Sequence, residues 1–281
     1  MMKGFMGKTH ALCSVMLLCI CMLIPIDFFK ETIWLLKDDV LFFIVGIIVL
    51  VGGALLPDLD NSQSSAGSTL GPLGSICTIF MQSISTICWT LFHGKGDRHP
   101  NTPHRYFWHT LFISIILLCT FIFGIPSNNE TILDNINKNT LQGFLQAQPI
   151  MLFFIVIIFM AVLVGSNMVI YRLIKMFSLP KALNLISPVG VIVYIFTIDY
   201  THLRILGICI GMGYLFHCLE DFFADSGVPL LWPIPIRNQM WKRYRFIITC
   251  QTGGLINTII DIIVLIIDIS LITFIFLGGN L

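Results

Sequence analysis

Long apolar stretches separated by short polar segments run along most of the 281-residue chain. A run of about 17 to 25 mostly apolar residues is long enough to cross a bilayer as a helix. We predict seven membrane-spanning helices, at about residues 11–29, 40–56, 109–125, 149–171, 183–198, 203–219 and 255–277. The pattern therefore predicts an all-α integral membrane protein with one polytopic domain over residues 1–281.

One further apolar segment has a different pattern. From Ser75 to Phe92, apolar residues recur at helical spacing on one side, and serine, threonine and glutamine occupy the other side. This periodicity predicts an amphipathic helix that lies in the membrane interface or re-enters the membrane without crossing it. The Ser- and Gly-rich segment Asn61–Gly74 before it predicts a loop without regular structure, and we expect a tight turn at Asp199–Arg204.

Composition agrees with a membrane protein and excludes some partners. Hydrophobic residues make up 56% of the chain and charged residues 11%, whereas a soluble domain carries about 25% charged residues. The net charge of +1 shows no nucleic-acid footprint, for which a basic patch would be expected, so we expect no nucleic acid as a partner. For a membrane protein, we expect membrane lipids as partners. The nine cysteines form no Cys-x-x-Cys pair, so they are interpreted as small apolar residues.

The distribution of basic residues predicts the orientation. If the N-terminus is cytoplasmic and Ser75–Phe92 does not cross, four of the sixteen Lys and Arg lie outside: Lys30, Lys37, Lys138 and Arg204. The other twelve lie inside: Lys3, Lys8, Lys95, Arg98, Arg105, Arg172, Lys175, Lys181, Arg237, Lys242, Arg243 and Arg245. A crossing at Ser75–Phe92 would reverse every later loop and remove this positive-inside bias. We therefore predict seven spans in a bacterial or archaeal cytoplasmic membrane, with the N-terminus inside.

The same topology places candidate metal ligands at one membrane face. His217 and Asp221 are four residues apart, so on a helix they lie on the same side, one turn from each other. Such a pair can hold a metal ion. Buried ionisable groups in a membrane are costly without a partner, and a metal ion would be that partner; the alternative is a structural His–Asp hydrogen bond. The other candidate ligands at this face are His10, Asp58, Asp60, His104 and His109. Four His and three Asp suit one or two ions of zinc, or of manganese or iron.

Two further residues have candidate roles beside these ligands. Glu220 follows His217 by three positions, so it could face the same site as a general base or as a residue that orients a ligand. Its alternative role is a solvated acid at a helix end. Arg105 could hold a phosphate with its planar guanidinium, or could anchor the chain at the membrane interface beside His104.

Ordered motifs along most of the chain resemble those of the YdjM-like family of membrane-bound proteins, whose inferred activity is metal-dependent hydrolysis. Leu55–Asp60 is similar to the family's Leu-Pro-Asp-x-Asp, and His104–Thr110 to its His-Arg-x-x-Thr-His-Ser, with Trp108 at the usual Thr. The stretch from Gly213 through Asp221 to Pro233 is similar to its closing motif. The family's ligand set is distantly similar to that of zinc-dependent phospholipase C, so the resemblance implies hydrolysis of a phosphoester.

These observations predict a membrane-embedded, metal-dependent hydrolase that acts at the cytoplasmic face on a phosphoester of a lipid or a lipid-linked substrate. The alternative is a non-enzymatic protein, either a metal-binding membrane scaffold or a transporter. Transporters place polar groups near the bilayer midplane on interrupted helices. Here the polar residues lie at span ends, and Pro188 and Gly190 are the one sign of an interrupted helix.

Overall fold

The computed structural model describes residues 7–24, 33–37, 39–97, 105–125, 130–136, 149–177, 183–224, 227–246 and 255–277. Within these ranges the regular structure is helical, without a strand. The helices discussed below are α1 (Gly7–Leu23), α2 (Val40–Leu55), α3 (Ser65–Thr69), α4 (Pro72–Phe92), α5 (Leu111–Gly124), α6 (Pro149–Phe177), α7 (Leu183–Thr197), α8 (Tyr200–Asp221) and α9 (Leu255–Phe276). Short 3-10 turns at Pro57–Asp60 and Phe107–His109 lie beside α2 and α5.

Within the described residues, each of the seven predicted spans contains an apolar helix, so the predicted all-α membrane fold is confirmed. Five helical segments are long and apolar enough to cross a membrane: Val40–Asp60, Pro72–Phe92, Met151–Val169, Tyr200–Asp221 and Thr258–Phe276. Gly7–Leu23, Leu111–Gly124 and Ile186–Thr197 are shorter apolar helices. Because α4 also meets the length and composition of a span, the count of seven crossings stays a prediction.

Two segments were predicted to be irregular, and both predictions are wrong. In each case a side-chain cap starts a helix. Asp199–Arg204 is not a turn: Asp199 accepts a hydrogen bond from the His202 amide at 2.9 Å, and α8 begins directly after it. The predicted loop Asn61–Gly74 contains α3, whose first turn is capped by Ser64 through a 2.9 Å bond from the Gly67 amide. A side-chain oxygen at this position satisfies an amide that the helix itself leaves unpaired.

The first span also begins earlier than predicted. Helix α1 starts at Gly7, so His10, which was expected just before the span, lies inside the helix and is completely buried. A Cβ on Gly7 would lie 3.0 Å from the Leu55 side chain and 3.1 Å from Ser65, so the first turn is packed tightly against α2 and α3. This contact fixes the depth at which α1 carries His10.

Helix α2 is the centre of the bundle. It is apolar all round, as expected of a helix surrounded by others, and most of its residues are buried. It runs parallel to α8: Phe42 lies 4.8 Å from the His202 ring near their first turns, and Asp58 meets His217 at the other end. A Cβ on Gly213 would overlap the Leu50 carbonyl oxygen, so glycine here allows the two backbones to approach closely.

Helices α1, α5 and α9 run in the opposite direction to α2 and α8. The start of α9 contacts the start of α1 through an ion pair of 2.5 Å between Lys8 and Asp261, and the end of α9 places Phe276 against Phe43. The C-terminal ends of α2 and α8 therefore meet the N-terminal ends of α1 and α5 at one end of the bundle. We call this end of the bundle the site end. The predicted topology also requires these four helix ends to lie on one side of the membrane.

Helix α4 lies against the site end with its polar side inward. Thr78 donates to the Leu59 carbonyl oxygen at 2.7 Å, and Gln82 donates to that of Asp60 at 2.8 Å. The apolar residues of the opposite side, such as Ile79, point outward and are exposed. Directly after the helix, the Gly96 amide donates to the carbonyl oxygen of Asn238, in the loop that packs on this end.

Candidate metal centre

Asp58 and Asp60 lie on the 3-10 turn that follows α2. Proline at position 57 has no amide hydrogen to continue the helix, so the chain tightens into this turn. The Ser64 hydroxyl donates to the Asp58 carbonyl oxygen at 2.7 Å, and the bonds from α4 hold the next two carbonyl oxygens. Both carboxylates are therefore buried on a fixed backbone.

His109 lies on the 3-10 turn Phe107–His109, directly before α5. The Arg105 amide donates to Asp60 Oδ2 at 3.1 Å, and Arg105 has a left-handed backbone with φ of 60°, which is uncommon outside glycine. The Tyr214 hydroxyl donates to the Trp108 carbonyl oxygen at 2.6 Å. These bonds tie the turn that carries His109 both to Asp60 and to α8.

The loop after α8 packs on this turn through aromatic side chains. Trp232 stacks on Trp241 with 4.9 Å between ring centroids and lies 5.3 Å from Phe107. The Leu111 amide donates to the Leu230 carbonyl oxygen at 3.1 Å. Burial raises the pKa of the neighbouring Tyr106 phenol above its usual value. The loop after α8, up to Pro233, thus packs against the start of α5.

Helices α8 and α1 complete the cluster, and His217 is at its centre. Its Nε2 lies 3.3 Å from His109 Nδ1, 3.4 Å from Asp221 Oδ2 and 3.7 Å from Asp58 Oδ1. His109 Nδ1 lies 2.8 Å from Asp221 Oδ2, and His10 Nε2 lies 3.7 Å from Asp221 Oδ1. The His10 and His217 rings are 4.0 Å apart between centroids.

These side chains form two groups in which one ligand atom of each residue lies within 4.8 Å of the others. The first group contains His10, His217 and Asp221, and the second contains Asp58, His109 and His217. Asp60 Oδ2 adjoins the second group at 3.6 Å from His109 Nε2. We call the whole set the candidate metal centre: His10, Asp58, Asp60, His109, His217 and Asp221.

The charges of the candidate metal centre fit a bound cation. Asp58, Asp60 and Asp221 are buried together, and Glu220 adds a fourth carboxylate, whereas Arg105 brings one guanidinium, with Nη2 3.0 Å from Asp221 Oδ1. Several buried carboxylates are costly unless positive charge compensates them. Imidazole nitrogens and carboxylate oxygens are the ligands that zinc, manganese and iron take in proteins. The donor set therefore suits a divalent ion.

The family model of the YdjM inner membrane protein matches residues 5–277, nearly the whole chain. The chain belongs to the YdjM inner membrane protein family. The resemblance in the sequence motifs is thereby confirmed, and the family with its apolar helices makes the chain an integral inner membrane protein. No curated protein and no solved structure matches the chain.

In this YdjM-family protein, the structure brings six of the seven predicted ligands together: His10, Asp58, Asp60, His109, His217 and Asp221. His104 lies outside the described residues. Glu220 faces the cluster, with Oε2 2.6 Å from His10 Nδ1, so it is not a solvated acid at the helix end. Arg105 contacts Asp221 directly and is buried, so an anchor at the membrane interface does not describe it.

Sequence reasoning missed the residues that hold the YdjM-family motifs in place. Thr78 and Gln82 fix the Asp58–Asp60 turn, and Tyr214 fixes the turn before His109. A signal for the first two was present, because they occupy the polar side of the predicted amphipathic helix. That polar side faces the protein and the apolar side faces outward, which is the arrangement expected of a helix beside lipid.

Proposed function

We propose that this protein is a membrane-embedded, metal-dependent hydrolase that cleaves a phosphoester of a lipid or lipid-linked substrate at the cytoplasmic face. The observation that carries the proposal is the candidate metal centre, with its buried histidines and carboxylates at one end of an apolar bundle. A bound divalent ion, with zinc as first choice and manganese or iron as alternatives, would act as a Lewis acid on water and on a phosphoryl oxygen.

The ligand groups define which residues would hold the ion. His10, His217 and Asp221 form one set of donors, and Asp58 and His109 with the same His217 form the other. Because His217 belongs to both groups, a single ion can use either, and a second ion needs additional donors such as Asp60. The proposal therefore covers one or two ions.

Glu220 and Arg105 act through their contacts with the ligands. Glu220, 2.6 Å from His10 Nδ1, orients that ring, and its carboxylate can take a proton as a general base. Arg105 holds Asp221 from the side of Oδ1. The planar guanidinium of Arg105, with its several N–H donors, is also a group that binds phosphate well. A phosphoester beside Arg105 would therefore meet positive charge.

The position of the centre supports a lipid substrate and the cytoplasmic side. The cluster lies at the ends of helices that match membrane spans, which is where lipid head groups lie, rather than at mid-height as in a transporter. The twelve-to-four distribution of Lys and Arg, which predicts a cytoplasmic N-terminus, supports a cytoplasmic position for this end.

Asp60→Asn tests the proposal, because asparagine keeps one acceptor oxygen for the Arg105 amide but removes the charge that balances a cation. We expect the variant to lose the phosphoester hydrolysis that the intact protein shows in vitro with zinc or manganese. In cells, overproduction of the intact protein should alter the lipid profile, and overproduction of the variant should not. Asp39→Asn is the matched control at the opposite end of α2, where Asp39 caps the helix and asparagine caps equally well.

A scaffold gives a different result in the same experiment. Because a scaffold has no turnover, its Asp60→Asn variant would instead lose assembly or folding, as seen by size-exclusion chromatography. If the lipid profiles coincide and no lipid phosphoester is cleaved by the intact protein with either metal, the hydrolase proposal is wrong.

A further inference from the structure

An apolar pocket of about 340 Å³ lies beside the candidate metal centre, between α4, α5 and α6. Its walls include Met81 from α4, Ile113 and Leu117 from α5, and Ile157 and Met160 from α6. Small-molecule sites in proteins have volumes of roughly 300–1,000 Å³, so the pocket is large enough for a ligand. Its position and lining indicate what that ligand is.

The polar groups of the pocket wall are already engaged with the backbone. The Thr120 hydroxyl donates to the Ile116 carbonyl oxygen at 2.6 Å, and the Tyr214 hydroxyl donates to that of Trp108 at 2.6 Å. The indole N–H of Trp108 donates to the Met81 carbonyl oxygen at 2.8 Å. These groups have no further hydrogen to donate, so a polar ligand would lose its hydration here with little compensation, and the lining selects hydrocarbon.

The pocket opens sideways onto the apolar outer surface of the bundle. Phe80, Ile116 and Phe153 line the pocket and are also exposed on that surface. In a membrane this surface contacts lipid chains, because the helices that form it are apolar over their exposed faces. A chain can therefore enter from the bilayer without crossing water.

The inner wall of the pocket contains residues that are close in the sequence to ligands of the candidate metal centre. Leu59 stands between Asp58 and Asp60, Trp108 precedes His109, and Tyr214 lies one turn before His217 on α8. We propose that this pocket binds a hydrocarbon chain of a lipid whose polar head group reaches the candidate metal centre. The proposal rests on the proposed function for the role of that lipid as substrate, but the binding of the chain can be measured separately.

Two neighbouring isoleucines of α5 provide a matched pair of variants. Ile116 is 46% exposed and lines the pocket, whereas Ile115 is 50% exposed and does not line it. Ile116→Trp therefore fills the pocket, and Ile115→Trp adds the same side chain to the outer surface. If Ile116→Trp does not fold, Leu117→Phe fills the pocket less severely from the same helix.

The binding experiment uses the full chain in nanodiscs doped with a phospholipid that carries a photoactivatable diazirine in its acyl chain. We expect labelling of Met81 and Leu117 in the intact protein and in Ile115→Trp, and several-fold weaker labelling of Met81 in Ile116→Trp. Labelling of the exposed face of α9, at Ile262 and Ile266, should be equal in all three proteins. Equal labelling of Met81 in the two tryptophan variants would overturn the proposal.

Hydrolysis measured on the same proteins separates the pocket from the proposed function. If Ile116→Trp loses the labelling of Met81 and no lipid phosphoester is cleaved by the intact protein, the pocket stands and the hydrolase proposal fails. If lipid phosphoester is cleaved equally well by both tryptophan variants, the hydrolase stands and the pocket is not the site of the substrate chain. Loss of both labelling and cleavage in Ile116→Trp alone supports both proposals.

Discussion

Glu220 contacts the candidate metal centre through His10, with 2.6 Å between Oε2 and Nδ1. Such a carboxylate fixes the orientation of a ligand histidine, and its loss typically lowers metal affinity about 10- to 100-fold. We therefore expect Glu220→Gln to weaken zinc binding by that factor without abolishing it, as measured by competition with a chromophoric chelator. Unchanged affinity would show that Glu220 does not position His10, and complete loss would make Glu220 a ligand itself.

The residues of the centre differ in how far the sequence could predict them. The spacing of His217 and Asp221 predicts a shared helical face, and the two side chains are 3.4 Å apart in the structure. The pairing of His10 with Glu220 joins residues 210 positions apart and depends on the depth of α1, which no local pattern encodes. The contact of Arg105 with Asp221 likewise depends on a left-handed turn that the sequence does not signal, since the residue is not glycine.

At the scale of helices, the close approach of α2 and α8 gives a prediction about Gly213. Alanine there would place a Cβ against the Leu50 carbonyl oxygen, and such overpacking costs about 1–3 kcal/mol. We expect Gly213→Ala to lower the thermal unfolding temperature in detergent. Gly190→Ala on α7 is the control, because no atom of the described residues lies within 4 Å of its added Cβ. An equal loss of stability in both variants would contradict the packing account.

The two aspartates on the buried side of α9 predict opposite effects on stability. Asp261 pairs with Lys8 at 2.5 Å and accepts from the Thr9 hydroxyl at 2.8 Å, so Asp261→Leu should cost about 1–3 kcal/mol. The Asp268 carboxylate is buried and has no hydrogen-bond partner among the described residues, so Asp268→Leu should keep or raise the unfolding temperature. A larger destabilisation by Asp268→Leu than by Asp261→Leu would contradict this assignment.

The helices themselves were largely predictable, and α4 shows where prediction stops. Long apolar runs such as 40–56 give helices because in lipid every backbone polar group must be satisfied within the segment. The periodicity of Ser75–Phe92 predicted a helix with two unlike sides, but the partner of each side could not be derived. Thr78 and Gln82 face inward because the Asp58–Asp60 turn offers them carbonyl oxygens, a contact between separate elements.

For the whole molecule, the arrangement of helix ends predicts the membrane topology. The start of α1 and the ends of α2 and α8 share the site end, so an N-terminus in the cytoplasm places the candidate metal centre there and the C-terminus outside. We expect alkaline phosphatase fused after Leu281 to be active and a fused fluorescent protein to be dark. The reverse result would contradict the seven-span topology.

The zinc content of the purified full-length protein, measured by inductively coupled plasma mass spectrometry, tests most directly whether this centre holds metal. His217→Ala removes the residue common to both ligand groups, whereas His202→Ala removes a histidine from the opposite end of the same helix, where it contacts Asp199 at 2.8 Å. The account predicts at least one bound divalent ion in the intact protein and in His202→Ala, and a strong loss in His217→Ala. Equal metal content in both variants, or none in the intact protein after incubation with zinc, manganese or iron, would contradict it.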